Sequence, residues 1–149
     1  MKAISSPIGI PGNIFHEMLA HCLRGHPEEA CGILAGRNCE VMKLYPMTNA
    51  EPSPVSYLME PKEQFRALKD MRENNLSMVA VFHSHPASAA YPSAKDVELA
   101  FYDDCAYLIV GLSADEPVVR AFTIREGSVR EVEIVINKKP EVKAGMNNG

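Results

Sequence analysis

The 149-residue chain has no tryptophan, and phenylalanine and tyrosine together supply an aromatic share of only 7%. No apolar run approaches the roughly 18 residues that a membrane-spanning helix needs. The opening MKAISSPIGIPGN carries one lysine and two prolines but no continuous apolar stretch. That argues against a cleaved leader and makes the cytoplasm the expected compartment. Cys22, Cys31, Cys39 and Cys105 are scattered, with no CxxC pair and no dense framework. Inside a cell they read as reduced, mostly buried small apolar residues. Lysine and arginine form no cluster and the net charge is −4, so there is no electrostatic footprint for nucleic acid and no polybasic membrane patch. Internal repeats and low-complexity blocks are also missing.

What is present is the balance of an ordinary globular domain, 46% apolar and 23% charged residues. The length suits one domain able to bury its own core. Ile14, Phe15, Met18, Leu19, Cys22 and Leu23 form an apolar stripe at helical spacing, with Gly12 or Asn13 as the cap and Gly25 and Pro27 as the stop. ACGILAG (30–36) and CEVMKLY (39–45) read as a hairpin, and VSYLME as a further short strand. Pro61 suits the first position of a second helix with Phe65, Leu68 and Met71 inward. MVAVF (78–82) has no polar residue and is expected to be a central strand covered on both faces. A third helix is expected from Ser93 to about Phe101, followed by strands at AYLIVGL, VVRAFTIR and SVREVEIVI. The pattern is that of an α/β single domain over 1–137, with 138–149 a disordered tail.

The chemistry gathers in VAVFHSHPASAAYPSAKD (79–96). On a strand His83 and His85 face the same way and Ser84 the other, so two imidazoles could hold one ion. An HxH alone is equally two polar residues closing a buried strand. A third ligand must be returned by the chain, and Asp96 is the candidate, leaving a fourth position open for water. SAKD is also a plain helix-capping signature, S/T-x-x-D/E before an apolar residue. Capping and metal binding need not compete, because one helix start can be capped and still present Asp96 inward.

The whole string reads H-x-H-P-x6-P-S-x-x-D and resembles the JAMM (MPN+) metalloprotease motif, H-x-H-x7-S-x2-D, with no departure in spacing or residue type. HPEEACGILAG (26–36) resembles the family's upstream block, in which Glu29 stands at the catalytic position and Glu28 is its exposed neighbour; the register between the two stays open. The flanks MTNAEPSPVSYLMEPKEQFRA and AYLIVGLSADEPVVRAFTIREGSVREVEIVI look like those of short bacterial members, notably sulfur-carrier-protein–cysteine peptidases. The resemblance implies a cytidine-deaminase-like fold with a curved mixed sheet flanked by helices. It also implies Zn²⁺ held by His83, His85 and Asp96, with Glu29 as general base and Ser93 donating to the oxyanion. The implied substrate is a ubiquitin-like sulfur-carrier protein.

Two rival readings belong to other classes. A zinc deaminase needs H-x-E with a distant P-C-x-x-C, and Cys105 has no partner two residues on. A non-catalytic scaffold has no physical need for all five residues together. His16, His21 and His26 read as surface or half-buried, Cys31 and Cys105 as core thiols, and Asp103–Asp104 as a solvated turn.

Overall fold

The computed structural model describes residues 6–137, so the tail expected from Lys138 lies outside the described residues. Eight strands and three helices follow in the order β1 (Ile8–Pro11), α1 (Gly12–Gly25), β2 (Cys31–Arg37), β3 (Glu40–Met47), α2 (Pro61–Glu73), β4 (Ser77–His85), α3 (Ala94–Glu98), β5 (Ala106–Gly111), β6 (Val118–Arg125), β7 (Ser128–Val132) and β8 (Ile134–Asn137). They form one mixed sheet ordered β7-β6-β5-β4-β2-β3-β1-β8. Among the described residues no helix is long and apolar enough to cross a membrane.

β7 and β8 sit at opposite ends of that order, yet only Glu133 separates them in the chain. The sheet must therefore curl until its edges are bridged by continuous backbone. Ile8 N–H donates to Glu133 O at 2.9 Å at the crossing. The single strand expected over SVREVEIVI is thus two, because the chain leaves β6 at Val132 and takes β1 as its partner from Ile134.

Two-residue turns fix the hairpins. Asn38 and Cys39 both adopt positive φ between β2 and β3, as do Glu126 and Gly127 between β6 and β7, the backbone that matches strand twist. At Gly36 the β2–β3 register shifts, and a Cβ there would collide with the Glu40 carbonyl.

The apolar residues of the sheet divide by face. Leu34, Ala80, Phe82, Leu108 and Val110 pack with Ile14, Met18 and Cys22 of α1. Ile33, Val81, Tyr107, Ile109 and Phe122 pack on the other side with Ala67 and Met71 of α2. β4 runs between β2 (antiparallel) and β5 (parallel), and its residues 79–85 are all buried, as expected of a central strand.

Several local expectations change. α1 starts at Gly12 behind Pro11 with no side-chain cap, and Leu23 is 54% exposed beyond the buried stripe. Phe65 is 66% exposed, because the buried face of α2 centres on Ala67 and Met71 and a residue two positions before Ala67 points away from it. α3 is only five residues long. VSYLME forms no strand; its one ladder contact is a bridge between Asn49 and Met59.

One polar pair sets how β2 meets β4. Ser84 points to the α1 side, fully buried, where its Oγ accepts from Ala30 N–H at 2.8 Å while its own N–H donates to Ala30 O at 2.9 Å. Replacing Ser84 with Ala strands a buried N–H, and should lower unfolding free energy by about 1–3 kcal/mol in urea titration with an unchanged m-value. A variant as stable as wild type would show that the pair does not hold this seam.

Candidate metal centre

β4 brings both histidines to the α2 side of the sheet, with His83 1% and His85 3% exposed. Their Nε2 atoms are 3.1 Å apart. Asp96, in the first turn of α3, places Oδ2 3.1 Å from His83 Nε2 and 3.0 Å from His85 Nε2. The same oxygen accepts Ser93 N–H at 2.9 Å, and Asp96 N–H donates to Ser93 Oγ at 3.0 Å. The capping box is complete and Asp96 still faces the histidines, so one helix start serves both. Ser93 is exposed, and its Oγ accepts this bond while donating none among the described residues.

Glu29 enters just ahead of β2 and is 5% exposed, whereas Glu28 faces solvent. Ligand atoms of Glu29, His83 and His85 lie within 4.8 Å of one another. Glu29 is therefore the acidic residue brought to the histidines. Its Oε1 is buried without a hydrogen-bond partner among the described residues.

Proton bookkeeping explains what this arrangement fits. His85 Nδ1 stands 2.8 Å from Ala89 O. A carbonyl can only accept, so Nδ1 carries the proton and a neutral His85 turns a lone pair at Nε2 toward Asp96. Two lone-pair atoms at 3.0 Å repel unless a proton or a cation sits among them. Nitrogen and oxygen ligands about 2.0–2.2 Å from a tetrahedral ion stand little further apart than these three atoms do. The donor set thus fits a metal such as zinc, whose ligands would be His83, His85 and Asp96.

The electrostatics agree with that division. Burial alone would raise Asp96, but its contacts with both histidines outweigh burial and hold the carboxyl well below the usual range. Burial keeps His83 below its ordinary value. Burial also opposes protonation of His85, yet Asp96 and the Ala89 carbonyl draw its pKa upward. For Glu29, burial dominates and pushes the carboxyl up to about 7, with Asp96 adding to the rise and His85 and Lys95 opposing it. One carboxylate is held ionised among the imidazoles and the other is poised to exchange a proton near neutrality.

A pocket of about 240 Å³ opens against His83 and Asp96, walled by Tyr57, Met59, Ile109 and Tyr102. Leu58, Leu99 and Phe101 on the same wall are 46%, 46% and 77% exposed, so the approach to the site is apolar. The other candidates stay apart. His16 and His26 are exposed, and His21 Nε2 bonds Cys31 O at 3.0 Å. Burial pushes the Cys31 and Cys105 thiols up to about 12, as core thiols require, and Asp103 and Asp104 form an exposed bend.

Three residues around the site were not singled out from the sequence. Ser84 had a signal, a lone hydroxyl on the helix-facing side of an otherwise apolar strand. Asn49 and Tyr57 had none, because their contacts depend on how residues 48–60 fold back. Asn49 Nδ2 donates to Glu29 O at 3.0 Å and Ser56 O at 3.1 Å, and its Oδ1 accepts from Glu51 and Leu58 N–H.

Comparison with known proteins places the chain in a family. The family of prokaryotic homologs of the JAB domain matches residues 11–125. The chain is 39% identical over 127 residues to the CysO-cysteine peptidase of Mycobacterium tuberculosis, covering 82% of this chain and 86% of the relative. It is 38% identical over 128 residues to a probable TtuB-protein conjugate cleaving protease of Thermus thermophilus, covering 85% and 81%. A solution structure of a protein from Desulfitobacterium hafniense superposes with a TM-score of 0.80 at 42% identity, over 89% of this chain and 94% of that one. A JAB1/MPN domain protein from Archaeoglobus fulgidus shares the fold, with a TM-score of 0.57 at 21% identity over 88% and 99%. The chain therefore belongs to the prokaryotic JAB-domain branch of the JAMM family and is a peptidase of that family.

Proposed function

We propose that this protein is a zinc-dependent peptidase that hydrolyses the bond after the C-terminal Gly-Gly of a ubiquitin-like sulfur-carrier protein. The observation that carries the metal is the convergence of His83 Nε2, His85 Nε2 and Asp96 Oδ2 at 3.0–3.1 Å, with the His85 proton already committed to Ala89 O. The names of the relatives, a CysO-cysteine peptidase and a TtuB-conjugate protease, support the substrate class.

Zinc, when bound, supplies the Lewis acidity that activates water and polarises a peptide carbonyl. Glu29 accepts the proton that the attacking water gives up and passes it to the departing amine, a task suited to a carboxyl whose pKa burial brings to about 7. Ser93 keeps a free hydroxyl proton to donate to the carbonyl oxygen as charge develops there. No covalent enzyme intermediate is needed. A scaffold reading has no use for Glu29, a carboxyl buried beside two histidines where its desolvation costs stability and does nothing for packing.

The Gly-Gly preference follows from space. Glycines before the scissile bond bring no side chain to the site, so the substrate backbone could approach His83, His85 and Asp96 closely. An extended tail lying against strand edge or loop backbone gains main-chain hydrogen bonds without needing bulk.

Metal analysis of chelator-free protein should find close to one zinc per chain, lost in His83→Ala and in Asp96→Ala. The metal-free protein should stay folded, because apolar clusters on both faces of the sheet do not involve the ligands. Zinc at wild-type level in both variants would overturn the ligand assignment.

Glu29→Gln should retain zinc and lower kcat by about 10²–10⁴-fold, while Glu28→Gln leaves turnover unchanged. The reverse pattern would move the base to Glu28.

Carrier proteins from the same genome, extended beyond Gly-Gly by cysteine, should be trimmed after the second glycine when incubated with zinc-loaded enzyme. Mass spectrometry should show no release with Glu29→Gln, and Gly→Val before the scissile bond should block it. Equal cleavage of unrelated dipeptides would reject the carrier as substrate.

A further inference from the structure

The two histidines are held in different ways. His85 is oriented by the bond from Nδ1 to Ala89 O. His83 has no such bond: its Nδ1 is buried and finds no partner among the described residues. A ligand imidazole is ordinarily steered by an acceptor on its second nitrogen, which fixes ring plane and tautomer. What lies against His83 instead is the ring of Tyr57, stacked at 4.8 Å between centroids with the planes 28° apart. The His85 ring meets His83 edge-on at 4.9 Å and 62°.

Tyr57 is itself firmly carried. The strap from Thr48 to Glu60 closes on itself through Glu60 N–H to Thr48 O at 3.0 Å and Ala50 N–H to Leu58 O at 2.7 Å. Asn49 fills its centre with four hydrogen bonds. Thr48 is tied to α2 through the Glu63 carboxylate, by N–H at 2.6 Å and Oγ1 at 2.9 Å. The strap also grips the glutamate, since Glu29 N–H donates to Ser53 O at 2.8 Å.

We infer that Tyr57 is a positioning residue for the metal centre, its stacked ring orienting His83, whose Nδ1 meets no protein acceptor among the described residues. Rotation of the His83 ring about Cβ–Cγ must sweep an edge through the volume the tyrosine occupies. The stack therefore fixes the plane in which Nε2 points at Asp96 and His85. The ring face is what acts, because the phenol hydroxyl makes no bond to His83. This inference rests on His83 being a metal ligand, and its test keeps the two ideas apart.

The experiment compares Tyr57→Leu, which keeps apolar bulk without a flat face, with Tyr57→Phe, which keeps the face. Zinc affinity is measured by competition with a chromophoric chelator, the ligand field by visible absorption of the Co²⁺-loaded protein, and folding by thermal unfolding without metal. Tyr57→Leu should weaken zinc by about 10–100-fold and alter the Co²⁺ bands. Tyr57→Phe should match wild type in both, and the metal-free melting points of all three should agree within a few degrees. Wild-type affinity in Tyr57→Leu, equal losses in both variants, or a metal-free Tyr57→Leu chain that is already unfolded would each overturn the inference. His83→Ala provides the reference. If it loses zinc while Tyr57→Leu does not, only the role of Tyr57 fails. If it too keeps zinc, the metal assignment itself fails.

Discussion

Two hydrogen bonds between Ala30 and Ser84 hold the arrangement on which everything else depends. They extend the antiparallel pairing of β2 and β4 past the last ladder pair, Cys31 opposite His83. Because Glu29 directly precedes Ala30, and His83 and His85 flank Ser84, this seam puts a carboxylate from one strand entry beside imidazoles from the next. The residues are 54 positions apart in sequence, and no local propensity could bring them together. Ser84 serves from the opposite face of the sheet. It donates and accepts among the α1-facing apolar residues so that its neighbours can be polar on the α2 side.

That division by faces is what lets an apolar domain carry a polar site. His83, His85 and Glu29 are all nearly inaccessible to water, a placement that normally costs free energy for each unpaired group. Part of the cost is offset by bonds within the site, since Ser93 N–H donates to Asp96 Oδ2 and His85 Nδ1 donates to Ala89 O, and a cation among the facing lone pairs would offset more. Two buried side-chain atoms find no partner among the described residues, Glu29 Oε1 and His83 Nδ1. The first belongs to a group whose proton affinity burial raises toward neutrality. The second lies on a ring held by stacking. The unsatisfied atoms therefore mark where the site departs from what stability alone would select.

The curl of the sheet supplies rigidity to this seam. β7 and β8 are consecutive in the chain and lie at the two ends of the strand order, so neither edge can swing free of the other. β4 sits well inside, with pairing on both sides along its length. A histidine pair on such a strand has its backbone fixed by the whole sheet. α3 and the strap need only bring Asp96 and Tyr57 to it.

The local arrangements were legible in the sequence because they depend on neighbours a few residues away. The alternation of His83, Ser84 and His85 dictated which side chains share a face, and Ser93 with Asp96 dictated a capped helix start. The unbroken apolar run before His83 announced a strand buried on both sides, and Pro61 announced the start of α2. Resemblance of the full motif then linked Glu29 to the histidines, and the fold buries Glu29 beside them while Glu28 faces solvent. Other features came from chain return, which carries no local pattern. SVREVEIVI keeps its apolar residues across Glu133, so nothing in it reveals that Val132 and Ile134 belong to different strand pairs. VSYLME has the composition of a strand but lies in a strap whose backbone bonds go to Asn49 and Thr48, and only that closure lays Tyr57 on His83. Sequence determined which chemical groups exist and which way they face; tertiary structure decided which of them meet, because contacts made by a returning chain are set by packing and hydrogen-bond closure over long separations.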